Sequence, residues 1–337
     1  MPQRATPRAA HVESIVVDHL GKRYGPLVAL NDVSFSVQEG ELFGFLGPNG
    51  AGKTTTINIL CTLLRPTAGR ASVNGFDVLN QSGLVRRSIG IIFQDPSLDD
   101  RLTAGENLEL HARIYNLPRP VWAQRSEQLL RLVDLQDRAK EQVRTFSGGM
   151  KRRLEVARGL LHEPRVLFLD EPTIGLDPQT REHIWRYLVD LRAREGVTLF
   201  LTTHYMDEAE RCDRIAIVDH GRIVAVDTPA RLKALVGGDV ITIQTAHAER
   251  AVSSLRSRFG LEPVRADGEL RLEVAEGEQF VPQLVAQLGV PIQAISVRRP
   301  TLDHVFLKLT GSAMRDEEAD GMDSMRAWAR ARRRRGG

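Results

Sequence analysis

The sequence predicts a parallel α/β domain followed by a small α+β module. Three observations predict it. Short apolar runs alternate with helix-like segments through the first two-thirds of the chain. The apolar run "ELFGFLG" passes through a glycine-rich turn into "KTTTINILCTLL", giving strand, loop and helix in succession. Beyond Gly237–Gly238 the order becomes β-α-β-β-α-β, that of a ferredoxin-like module.

The elements follow in order. "SIVVDHL", "VSFSV", "RASVNGFDV" and "IGIIFQD" read as strands. From about Ala104 to Leu135 the pattern turns helical, with Leu108, Leu110, Ile114, Leu129, Leu130 and Leu132. "RVLFLDEP" is a short buried strand ending in acids, "REHIWRYLVDLRA" an amphipathic helix, and "VTLFLTTH" a second buried strand. "DRIAIVDHGRIVAV" reads as a hairpin turning at "HG". In the second module "DVITIQT", "EPVRA", "ELRLEVA" and "IQAISVRR" supply strands. "AERAVSSLRSRF" and "EQFVPQLVAQL" supply helices, and "TLDHVFLKLTG" adds a last one. The expected domains are 14–236 and 238–312. Residues 1–13 and 313–337 read as a disordered leader and a disordered charged tail.

A length of 337 residues suits two such domains. The net charge of +3 is unevenly placed: six arginines fall between Arg326 and Arg335, so the rest of the chain carries −3. The basicity belongs to the tail, and nucleic-acid binding by the body has little support. Cys61 and Cys212 are far apart and form no CxxC pair, which argues against zinc and fits a reducing compartment. No run approaches the roughly 18 apolar residues that span a bilayer. For work at a membrane, another chain must supply the span.

"GPNGAGKTT" (Gly47, Pro48, Asn49, Gly50, Ala51, Gly52, Lys53, Thr54, Thr55) fits the G-x-x-x-x-G-K-[ST] phosphate loop. Its backbone N–H groups cradle phosphates, and the following helix adds the positive end of its dipole. Lys53 can reach β- and γ-phosphates, and the Thr54 hydroxyl can ligate Mg²⁺. The motif says nucleotide, without saying which class of enzyme.

Asp170 and Glu171 end the strand "VLFLD", where open α/β sheets bind ligands. A buried carboxylate needs a partner, and Mg²⁺ is one. Asp170 then takes the metal, while Glu171 polarises a water for attack on the γ-phosphate. The alternative is a strand ending in two solvated acids. Gln94, at the end of "IGIIFQ", can touch both Mg²⁺ and that water, although surface glutamines are common. His204 can hydrogen-bond the γ-phosphate, or be structural. Tyr24 can stack on adenine, or be an ordinary turn aromatic.

"TFSGGMKRR" raises a separate question. Ser147 can cap a helix whose apolar stripe is Met150, Leu154, Ala157 and Leu161. Gly148 and Gly149 weaken that helix start, which suggests a close approach to the backbone. The unpaired first-turn N–H groups suit an anion. The alternative is an ordinary capped helix. One phosphate chain does not need two cradles from one subunit. A twofold dimer would place each ATP between one chain's phosphate loop and the other's "SGG".

Tyr24, "GPNGAGKTT", Gln94, "FSGGM", "VLFLDEPT", "GLDP" (Gly175–Pro178) and His204, in this order, resemble the nucleotide-binding subunit of ATP-binding cassette (ABC) transporters over residues 14–236. The resemblance implies a P-loop NTPase cassette: a RecA-like core, an antiparallel β subdomain and a helical subdomain at about 95–162. It implies ATP and Mg²⁺ as cofactors. Lys53, Glu171, Gln94 and His204 take catalytic roles, and Thr54, Gln94 and Asp170 hold the metal. Tyr24 stacks on adenine. Ser147, Gly148 and Gly149 act across the dimer, with Asp177 at the interface. "FSGGM" departs from the commonest LSGGQ at Phe146 and Met150 but keeps the serine and both glycines. The continuation "MKRRL" and the ending "PTLDHVFLKLTG" resemble the daunorubicin/doxorubicin-resistance ATP-binding family of ABC-2 type exporters. That implies export of a drug, antibiotic or lipid through a separate ABC-2 type permease. It also implies a second nucleotide-binding subunit, with a homodimer favoured, at the cytoplasmic face of the membrane. A soluble cassette ATPase of DNA repair, chromosome maintenance or translation is the other reading. It would carry zinc fingers, coiled-coil insertions or two cassettes, and none is visible.

Overall fold

The computed structural model describes residues 12–94, 97–266 and 269–311. Residues 1–11 of the expected leader and the whole of the expected tail lie outside them. Two compact units divide the chain, the second beginning at Asp227.

The first unit opens with strands β1 (Glu13–Tyr24) and β2 (Leu27–Gln38). They pair antiparallel for longer than their apolar runs suggest, because polar Lys22 and Arg23 continue the ladder toward the turn. Strand β3 (Leu42–Leu46), helix α1 (Lys53–Leu60), and strands β4 (Ala68–Val73) and β5 (Phe76–Asp77) follow. An antiparallel sheet has the order β2-β1-β4-β5. Helix α2 (Ser82–Ser88) leads into β6 (Ile89–Ile92).

Three helices come next: α3 (Ala104–Ile114), α4 (Arg119–Leu132) and α5 (Gly148–Leu160). Thr103 and Glu106 start α3 with a reciprocal capping box. The rest of this unit is β7 (Val166–Asp170), α6 (Pro178–Glu195), β8 (Thr198–Thr203), α7 (Met206–Ala209), β9 (Arg214–Asp219) and β10 (Arg222–Asp227). His220 and Gly221 both have positive φ, which makes the two-residue turn expected at "HG".

The main sheet has the order β10-β9-β3-β8-β7-β6, and β9 through β6 run parallel. Its central strands β3, β7 and β8 are buried on both faces, so they read as unbroken apolar runs. Phe43 and Phe45 of β3, Phe168 of β7, Phe200 of β8 and Phe35 of β2 form one ring cluster. Its centroid separations are 5.4 to 5.9 Å. Such pairs add about 0.5–1.5 kcal/mol beyond their buried area. They hold three strands in one register: Leu46 lies opposite Thr203, and Asp170 lies opposite Thr202. The carboxyl ends of β3, β8 and β7 therefore meet at one place.

The second unit starts at Asp227, eleven residues before the expected start at 238, and its first element is α8 (Pro229–Ala234). It continues with β11 (Asp239–Gln244), α9 (Ala248–Phe259), β12 (Val264–Ala266), β13 (Glu269–Val274), α10 (Gly277–Gln287), β14 (Ala294–Arg298) and α11 (Leu302–Thr310). The sheet order is β12-β13-β11-β14, wholly antiparallel. Ile241, Ile243, Leu255, Leu270, Leu272 and Leu284 form its core. The order is the expected β-α-β-β-α-β with the expected last helix α11, and α8 is a helix in addition.

Candidate active site

The phosphate loop occupies the turn between β3 and α1. A Cβ at Gly47 would stand 2.4 Å from the Val218 carbonyl oxygen, so no larger residue fits. Gly52 has φ of 102°, and a Cβ there would meet Leu30 Cδ2 at 2.6 Å and the Ala29 oxygen at 2.8 Å. The loop thus packs tightly against β2 and β9 while the first turn of α1 has no side-chain cap. Its N–H groups are left for an anion.

Lys53 is buried. Its Nζ donates to the carbonyls of Gly47 (2.7 Å) and Pro48 (3.2 Å) and lies 3.2 Å from Glu171 Oε1. Burial lowers its pKa, and Glu171 and Asp170 partly restore it. Asp170, the last residue of β7, accepts from Thr202 Oγ1 at 2.5 Å, and the nearby Thr54 hydroxyl also favours its charged form. Burial still pushes its carboxyl above the ordinary aspartate value. A buried carboxylate left in that condition suits a cation, and the oxygens of Thr54, Gln94 and Asp170 form a hard donor set of the kind Mg²⁺ takes.

Glu171 leaves the strand with φ of 46°, a left-handed backbone that costs a non-glycine residue about 1–3 kcal/mol. That turn separates its side chain from that of Asp170. Its N–H donates to Thr202 Oγ1 (3.1 Å) and to the Thr202 carbonyl (3.2 Å). Its Oε1 lies 3.3 Å from His204 Nδ1 as well as 3.2 Å from Lys53. Burial pushes its carboxyl up, but the contacts from His204 and Lys53 outweigh burial and hold it below the ordinary glutamate value. Four residues singled out in the sequence are therefore brought together: Lys53, Asp170, Glu171 and His204.

A cavity of about 300 Å³ opens here, lined by Tyr24, Asn49, Lys53, Thr54, Gln94 and Glu171 among others. Tyr24 is 46% exposed at the end of β1, with Lys22 Nζ 5.0 Å from its ring centre. Gln94 is exposed two residues beyond β6 rather than at its end. Pairing with β7 stops at Ile92–Leu169, and the Phe93 carbonyl turns instead to Arg152.

Ser147, Gly148 and Gly149 are not in the cavity wall. Ser147 caps α5 by accepting from the Met150 N–H at 3.3 Å. Leu154, Ala157 and Leu161 of the expected stripe are buried, and Met150 is half-buried. The two glycines differ. A Cβ at Gly148 meets nothing within 4 Å, whereas one at Gly149 would stand 2.5 Å from Thr180 Cγ2. The close approach inferred at Gly149 comes from α6 of the same chain. Asp177 caps α6, accepting from the Gln179 and Thr180 N–H groups at 3.1 and 3.0 Å.

Sequence reasoning missed Thr202 and Arg152. Thr202 carries a signal, being a hydroxyl in a wholly buried strand. Arg152 carries almost none, because it sits in a run of cations. Glu208 was missed too. It is buried, and accepts from Thr203 Oγ1 (2.6 Å), Trp185 Nε1 (3.3 Å) and the Thr173 hydroxyl. It ties the segments that lead to Asp177 and His204.

The family described as ABC transporter matches residues 30–174. A daunorubicin resistance ATP-binding protein of Streptomyces coeruleorubidus is 42% identical over 91% of this chain and 98% of its own length. The chain belongs to the ABC transporter family. A linearmycin resistance ATP-binding protein of Bacillus subtilis is 37% identical over 89% of this chain and 99% of its own. A dimeric ATP-binding cassette solved in a post-hydrolysis state with ADP and Pi superimposes with a TM-score of 0.58. It is 29% identical, covering 64% of this chain and 98% of the other. The cassette described here is an ATP-binding protein that hydrolyses ATP for transport.

Proposed function

We propose that this cassette powers export of a drug-, antibiotic- or lipid-like cargo through a separate ABC-2 type permease. It works as a homodimer on the cytoplasmic face of the membrane. The observation that carries the reading is Glu171, kept ionised and aimed between Lys53 and His204 beside a cavity that reaches Tyr24.

The roles follow from position. Tyr24 offers a ring face to adenine. Gly47–Thr55 cradle the phosphates, and Lys53 exchanges its loop carbonyls for phosphate oxygens. Thr54, Asp170 and Gln94 would hold Mg²⁺, which supplies charge neutralisation to the phosphate chain. Glu171 accepts a hydrogen bond from the attacking water, and His204 holds Glu171 from its other side. Ser147 and Gly148 stand outside their own chain's cavity, and nothing crowds Gly148. Both facts favour an ATP site completed by a second copy. Asp177 then lies at that interface.

A groove of about 640 Å³ lined by Gly83, Arg86, Arg87, Ile114, Tyr115 and Asn116 suits the permease. Ile114 is 66% exposed, and Leu84 and Leu110 nearby in sequence are also exposed, so apolar surface is available to a partner. No described helix is long and apolar enough to cross a membrane.

The test is transport in cells carrying the chain and its permease. Efflux of an amphipathic antibiotic should be present with the native chain and absent with Glu171→Gln. Equal efflux with both would remove the reading.

A further inference from the structure

Helix α5 does more than present Ser147. Five residues beyond that cap, Arg152 is buried at 5% exposure, where an unpaired guanidinium would be costly. Its donors are filled from three separate segments. Nε donates to the Pro172 carbonyl at 2.7 Å, and Nη2 reaches the Asp170 and Glu171 carbonyls at 3.4 Å each. Nη1 donates to the Phe93 carbonyl and to Glu155 Oε2, the latter at 3.1 Å. Glu155 is wholly buried and accepts from the Ser97 N–H at 2.7 Å. Arg158 donates to the Ser97 carbonyl and hydroxyl. One face of α5 therefore grips the chain on both sides of Gln94, at Phe93 and at Ser97.

The same guanidinium closes the other half of a clamp on Glu171. Thr202 holds the Glu171 N–H, and Arg152 holds the Glu171 carbonyl and its two neighbours. A left-handed residue persists only where its surroundings over-determine it. Only a planar fork of five donors can satisfy this set of acceptors; an ammonium with three donors cannot.

We propose that Arg152 is a positioning residue for hydrolysis. It fixes the backbone of Glu171, so that the carboxylate faces Lys53 and His204, and couples that setting to the Gln94 segment and to the helix headed by Ser147. The proposal rests on Glu171 as the residue that activates water.

Arg152→Met and Arg152→Lys in the purified full chain test it, with Glu171→Gln beside them. Four quantities are read: kcat, ATP affinity, melting temperature, and amide exchange across residues 171–174. Arg152→Met should lower kcat by at least tenfold, and Arg152→Lys by an intermediate three- to tenfold or so, with ATP affinity kept. Exchange across 171–174 should quicken in both. Added to Glu171→Gln, either change should cost little more, because residues acting as one unit are not additive. Native kcat in Arg152→Lys would overturn the proposal. So would a loss of ATP affinity in proportion to kcat, or failure of the lysine variant to fold, since the residue would then be a structural tie. Native turnover in Glu171→Gln would instead remove the reading on which the proposal rests.

Discussion

Lys53 Nζ and Glu171 Oε1 stand 3.2 Å apart, both side chains almost wholly buried. Each is the other's counter-charge before a nucleotide arrives. A phosphate chain that takes Lys53 leaves Glu171 with His204 and with the attacking water. Glu171→Gln keeps the shape and removes the charge. Turnover should fall at least tenfold, about 1.4 kcal/mol of barrier, while ATP affinity holds. Steady-state hydrolysis beside equilibrium ATP binding checks both halves.

The two glycines after Ser147 should separate in stability. Gly149→Ala drives a methyl into Thr180 and should cost about 1–3 kcal/mol. Thr180→Ser, which removes the offending methyl, should recover much of that loss. Gly148→Ala meets open space and should be neutral or stabilising by up to about 1 kcal/mol. Denaturant unfolding of Gly149→Ala, of Gly149→Ala with Thr180→Ser, and of Gly148→Ala decides it. Equal costs at the two glycines would contradict the packing argument.

His111 makes the fold acid-sensitive. Burial, with Arg158 and His162 nearby, pushes its pKa down from 6.5 to about 3. Between those values the unfolded chain holds a proton that the folded chain refuses. Stability is therefore full above pH 6.5 and falls as pH drops toward 3. His111→Phe should flatten part of that fall. Between pH 7.5 and 5 the native chain should lose up to about 2 kcal/mol more than the variant. Unfolding midpoints at the two pH values provide the comparison.

Much of this was legible because burial writes itself into strands as apolar runs. "ELFGFLG", "VLFLD" and "VTLFLTTH" gave three central strands, and the residues just past their ends gave Lys53, Glu171 and His204. The register that brings these ends together depends on the Phe43, Phe45, Phe168 and Phe200 packing, which no spacing reveals. Gln94 lay two residues beyond its strand because Arg152 competes for the Phe93 carbonyl. Arg152 itself looked like one more surface cation beside Lys151 and Arg153. Gly149 reads as a ligand contact, and Thr180 supplies a second reason for glycine there, since it leaves no room for a Cβ.

The groove beside α3 should bind the permease. Ile114→Asp places a charge on its exposed apolar edge and should leave ATP binding unchanged. Co-purification with the membrane subunit should be lost or sharply reduced. Unchanged recovery of that subunit would move the docking surface elsewhere.

In the proposed dimer, one chain's ATP is closed by Ser147 and Gly148 of another. The most direct measurement is the mass in solution of Glu171→Gln with ATP, by light scattering. A dimer is expected with ATP, a monomer without it, and a monomer again when Ser147→Arg is added. An ATP-bound dimer that survives Ser147→Arg would contradict it.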